Sequence, residues 1–145
     1  MNSNSRKNLN QSMRLESSIK IAKLQFIKGL WSSKFSWEKS IDEMREAYHL
    51  FGEAVGDEKN YYGANCLMEI GQNYLRKREI DSSTQYLNSG VEIYEKLFGD
   101  AHPILQKYYN YSSEVFSSAN NNDAMMQMGQ KYLDIVEKVN KPRDP

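Results

Sequence analysis

The segment from Asp81 to Leu97 recurs without a gap from Asp123 to Val139, 42 residues further on. Gln85 meets Gln127, Ile93 meets Ile135, and the Glu95–Lys96 pair meets Glu137–Lys138. Self-similarity at a period between about 20 and 50 residues is the mark of stacked supersecondary units, each covering the hydrophobic face of its neighbour. It weighs against a single closed core, and composition agrees. The 145 residues hold only three Pro and eight Gly, too few for the many turns of an all-β chain, while ten Tyr and seven Met supply much of the apolar volume. No apolar run approaches the ~20 residues of a membrane span. With Cys66 alone there is no internal disulfide, which fits a reducing compartment.

Apolar spacing resolves six helices. Residues 1–12 are Asn/Ser-rich and aperiodic and read as a flexible basic arm. From about Met13, Leu15, Ile19, Ala22, Phe26 and Leu30 fall at helical steps, with Leu24, Ile27 and Trp31 beside them. Ser36 is a fitting N-cap for a second helix through Ile41, Met44 and Phe51, closed by Gly56–Asp57. A third runs from Tyr62 to the basic cluster Arg76–Lys77–Arg78, which complements the dipole at its C-terminus. A fourth runs from Ile80 to Gly99–Asp100. Pro103 suits an early position in a fifth, Asn120–Asp123 punctuates, and a sixth spans Met125 to about Val139 before Pro142 and Pro145. Short connections make antiparallel hairpins of about 13–56, 57–99 and 100–140, followed by a tail at 141–145.

At a 43-residue offset Leu24, Ile27, Trp31 and Met44 pair with Leu67, Ile70, Tyr74 and Leu87. The middle unit reads Leu67-x-x-Ile70-Gly71-x-x-Tyr74 followed by Ser83, Leu87, Gly90 and Val91, and this order of large apolar, Gly, aromatic and small residues resembles the tetratricopeptide repeat (TPR) family. The long period and Gly99-x-x-His102-Pro103 are similar to the extended repeats of kinesin light chains. Lys28 stands where that alignment wants the packing Gly in the first unit, and Ser113 in the third. The resemblance implies an all-α fold: three stacked antiparallel hairpins in a TPR-like, right-handed superhelical array. It also implies a ligand groove lined by the first helix of each hairpin, here Asn65, Met68, Gln72, Lys107, Asn110, Tyr111 and Glu114. Where TPR clamps that grip chaperone tails carry a set of Lys, Asn and Arg, this chain has Gln25, Gly29, Glu69, Lys107 and Tyr111, so only Lys107 fits and that ligand is disfavoured.

No constellation of catalytic or metal-binding residues is apparent. His49 and His102 belong to no ligand-spaced cluster, Cys66 lies beside Leu67 as a small core residue, adjacent acids such as Asp42–Glu43 read as a solvated face, and the glycines form no phosphate loop. No enzyme activity, cofactor or metal is expected. In the run Tyr108–Tyr111, Tyr109 belongs to the apolar register and Tyr108 and Tyr111 fall outside it.

Net charge is zero but unevenly placed: residues 1–34 hold seven cations against Glu16 alone. The basic residues Arg6, Lys7, Arg14, Lys20 and Lys23 admit three readings: a solvated surface, an arm docking on an acidic partner, or a mitochondrial presequence. The leading expectation is a non-catalytic adaptor or assembly subunit that binds protein partners, cytoplasmic or in the cytoskeleton or cilium. The alternatives are a regulatory module similar to the TPR-like tails of SET-domain methyltransferases, and an RNA-associated or mitochondrial subunit using the basic end.

Overall fold

A computed structural model describes residues 2–99 and 102–140. Six helices run in order: α1 (Ser3–Ser32), α2 (Trp37–Val55), α3 (Tyr61–Arg76), α4 (Ile80–Phe98), α5 (Leu105–Ser118) and α6 (Asn122–Asn140). The described residues form no strand, and none of their helices is long and apolar enough to cross a membrane. Each helix packs on the next in sequence, and α3 also touches α5. The result is three hairpins, α1–α2, α3–α4 and α5–α6, stacked in chain order. The expected tail, with Pro142 and Pro145, lies outside the described residues, as does Asp100.

Local chemistry sets most boundaries. Side chains of Asn2, Ser36 and Asn60 accept from the backbone N–H groups of Ser5, Lys39 and Gly63, capping α1, α2 and α3. α2 ends at Gly56 in the left-handed conformation, φ 85°. Arg78 and Asn120 adopt that conformation as well, at φ 66° and 57°. Each closes a Schellman motif: Glu79 N–H donates to Tyr74 O and Asn121 N–H to Phe116 O, both at 2.9 Å. Pro103 precedes α5 in a turn rather than entering it, and the N–H of Gln106 donates to its carbonyl at 3.1 Å.

Three expectations are corrected. The arm at 1–12 is helical from Ser3, because Asn2 caps it and neither Gly nor Pro interrupts the chain before Gly29. Through residue 18 that stretch is exposed, so α1 overhangs the stack by roughly 24 Å at 1.5 Å per residue. Secondly, the packing Gly of the first hairpin is Gly29, not the position of Lys28. Ser40 Oγ donates to Gly29 O and Ser83 Oγ to Gly71 O, each at 2.7 Å, so the true offset is 42 residues in the first helices and 43 in the second. The spacing from the packing Gly to its Ser partner is thus one residue shorter in the first hairpin, 11 residues against 12 in the second. Thirdly, Tyr108 is fully buried along with Tyr109, since α5 is covered by α4 and α6 together; Tyr111 is half-buried.

The main core joins Leu67, Leu87, Tyr94, Leu105, Tyr108 and Ile135 across the second and third hairpins. Smaller clusters, Ala22–Ala47–Phe51–Cys66 and Ile41–Met44–Ile70, bond the first hairpin to the second. At about 1.5–3 kcal/mol for each large side chain buried, these contacts rather than helix propensity hold the array.

Candidate functional site

The corrected register defines the groove. One face of α1, α3 and α5 carries the matched positions Lys23/Asn65/Lys107, Ile27/Glu69/Tyr111 and Leu30/Gln72/Glu114. Two cavities open along it. One, of about 250 Å³, is lined by Lys23, Phe26, Ile27, Phe51, Tyr61, Tyr62 and Asn65. Phe51 and Tyr62 stack in its wall at 4.7 Å with planes 9° apart, and the Lys23 ammonium lies 5.4 Å from the Tyr62 ring. The other, of about 420 Å³, lies between α3 and α5 and is lined by Gln72, Leu75, Arg76, Arg78, Glu114 and Ser118, with Trp37 at its edge.

Of the seven residues expected in the groove, Asn65 lines the smaller cavity, Gln72 and Glu114 line the larger, and Lys107 and Tyr111 stand on α5 outside both linings. Gln72 faces Glu114, and Lys107 sits 5.7 Å from the Tyr111 ring centroid. Asn65 accepts a hydrogen bond from the Tyr94 hydroxyl and is among the residues that line the apolar cavity. Two do not belong. Met68 is buried in the main core, and Asn110 occupies the same position one repeat later, exposed because no further hairpin follows it among the described residues. Met68 packs into the core shared with the third hairpin rather than into the groove.

Sequence reasoning placed Glu69 only among the clamp positions, and it missed Arg76 and the α1 positions Lys23, Ile27 and Leu30 as groove residues. Burial pushes the Glu69 carboxyl above the usual range, while the nearby cations Lys107 and Arg76 hold it back. The 42-residue offset applied to α1 would have found the α1 residues; the one-residue difference between the first-helix and second-helix offsets hid it.

Elsewhere, Arg45 donates to the hydroxyls of Tyr74, at 2.5 Å, and Tyr86, at 3.1 Å, whose rings stack at 5.4 Å. His49 is exposed, 3.6 Å from Glu58, and His102 Nδ1 accepts from the Ile104 N–H in the turn before α5. The basic residues Arg6, Lys7, Arg14, Lys20 and Lys23 are exposed along α1, with Lys20 paired to Glu16 at 3.5 Å.

No family model and no curated protein sequence matches the chain. Solved structures do match. BtubC (BKLC) from P. vanneervenii superposes with a TM-score of 0.76 at 14% identity over 86% of this chain and 49% of its own. A Podosopora anserina protein of the kinesin light chain type, with nearly identical TPR-like repeats, gives 0.63 at 12% identity, over 91% of this chain and 59% of its own. The fold is that of TPR-like helical repeat proteins, and this chain spans about half to three fifths of the length of these two.

Proposed function

We propose that this chain is a protein-interaction module, a non-catalytic adaptor or assembly subunit whose α1/α3/α5 groove receives a segment of a protein partner. The observation that carries this reading is the pairing of an apolar cavity with a basic-rimmed one along a single groove. The cavity beside Ile27 has room for one large apolar side chain. Lys23, Arg76, Arg78 and Lys107 outnumber Glu69 and Glu114, so the favoured ligand is an acidic segment with a single apolar anchor. Likeness to a kinesin-light-chain-type array supports an adaptor role of this kind.

Fluorescence anisotropy with labelled acidic peptides of about 12–15 residues, each bearing one Leu or Phe, tests it. Ile27 and Lys107 are exposed, so Ile27→Asp and Lys107→Glu leave the core intact. Each is expected to weaken binding about tenfold, roughly 1.4 kcal/mol. Failure of every peptide to bind, or binding indifferent to both substitutions, would remove the groove as the interaction site.

A further inference from the structure

The two ends of the stack carry matching faces. At the front of the second hairpin Gly63, Cys66, Ile70 and Asn73 are buried against the first: Cys66 beside Ala47 and Phe51, Ile70 beside Ile41 and Met44, and Asn73 Nδ2 donating to Ser40 Oγ at 2.9 Å. Leu105, Tyr108, Ser112 and Val115 repeat this burial one hairpin later, with Tyr108 4.4 Å from the Tyr94 ring and its hydroxyl donating to Ala64 O. In α1 the same positions hold Ile21, Leu24, Lys28 and Trp31, and the three apolar ones are 58%, 66% and 60% exposed.

The back of the stack is open in the complementary way. Ala47 and Phe51 in α2, and Gly90 and Tyr94 in α4, are buried beneath the following hairpin. Their α6 equivalents Tyr132 and Val136 are only half-buried. Met126 and Leu133, which stand where Ile41 and Tyr48 meet α3, are 68% and 56% exposed.

We propose that these faces mate between molecules: α6 of one copy stacks on α1 of a second copy of this chain, continuing across molecules the α2–α3 and α4–α5 contacts made within one. The mating surfaces are those the repeat already uses internally, and charge favours this polarity. Residues 1–34 hold seven cations and one acid, so pairing two α1 faces sets like charge against like, whereas α6 carries Asp123, Asp134 and Glu137 against Lys131 and Lys138. A head-to-tail contact is heterologous, and unless its rotation closes a ring it adds copies without limit. The groove lies on a different face, so the proposal stands independently of its ligand.

The test is sedimentation velocity across a wide concentration range, with two double variants at exposed positions: Leu24→Gln/Trp31→Gln at the front and Met126→Gln/Leu133→Gln at the back. The wild-type chain is expected to form species that grow beyond dimer with concentration. Each variant alone should lose all species above monomer while keeping its helical circular dichroism. An equimolar mixture should recover a 1:1 dimer, because each variant retains the face the other lacks. A wild-type chain monomeric at every concentration would overturn the proposal. So would self-association that survives in the back-face variant, which indicates α1–α1 pairing, or a mixture that yields no heterodimer.

Discussion

Gly71 and Gly29 show how one missing methyl group fixes the closure of a hairpin. A Cβ on Gly71 would sit 2.7 Å from Leu87 Cγ and 3.2 Å from Leu87 N, so the backbone of α4 itself stands in the way. A Cβ on Gly29 would meet the flexible end of Met44, its Cε at 2.9 Å. Replacing Gly by Ala inside a helix recovers up to about 1 kcal/mol of propensity, against roughly 1–3 kcal/mol for overpacking. Gly71→Ala is therefore expected to destabilise the fold by about 1–2 kcal/mol in urea unfolding, and Gly29→Ala to cost distinctly less. Equal effects would show that Met44 is as immovable as a backbone. The same burial sets the alkaline limit of the fold. Burial, and secondarily Glu69, pushes the Cys66 thiol up to about 12, and burial pushes the Tyr94 hydroxyl up to about 12 and that of Tyr108 further in the same direction. The unfolded chain releases these protons near pH 9 and 10, so between there and pH 12 the folded state binds more protons and stability falls as pH rises. Denaturation midpoints measured from pH 8 to 11 should decline, and Cys66 should resist thiol reagents at pH 8 until the protein unfolds.

At the level of single elements, helix ends were legible wherever a side chain or a glycine carries the signal. Ser36 and Gly56 mark theirs in sequence, as does Ile80 after the basic cluster. The start of α1 was not legible, since a polar helix without tertiary contacts has no apolar periodicity to reveal it; only the cap at Asn2 betrays it. Nor was the closing turn after α3, where Arg78 takes a left-handed conformation that costs a non-Gly residue roughly 1–2 kcal/mol. Against this stands the greater entropy of Gly in the unfolded chain, about 0.5–1 kcal/mol. Arg78→Gly is accordingly expected to raise stability by about 0.5–1 kcal/mol, measurable as a higher denaturation midpoint; a lower midpoint would mean the Arg78 side chain contributes more than its backbone conformation costs.

For the whole molecule, stability should follow position in the stack. The middle hairpin is covered on both sides, whereas α1 and α6 each present a face with no neighbour among the described residues. In α6 Ile135 alone is buried. Hydrogen exchange is expected to be slowest in α3 and α4, faster in α6, and fastest in the overhanging residues 3–18, which have no tertiary cover. Measured at low protein concentration, uniform protection across all six helices would mean that the array unfolds as one unit with no weak ends.

The sequence by itself determined the repeat, the helical class and the core role of Cys66, because periodicity and local capping are written residue by residue. Only the tertiary structure decided the register of the first hairpin. A one-residue difference in the spacing of matched positions shifts α1 against α2 without breaking the apolar pattern of either, and under the wrong offset Leu24 pairs with Leu67 and Trp31 with Tyr74 in an apolar match. In the folded array Leu24 and Trp31 instead stand where Cys66 and Asn73 pack on the preceding hairpin, exposed because nothing in the described chain precedes α1 to cover them. Apolar character in the sequence says that a face is to be covered, while the identity of its cover depends on which elements stand on either side of it in space.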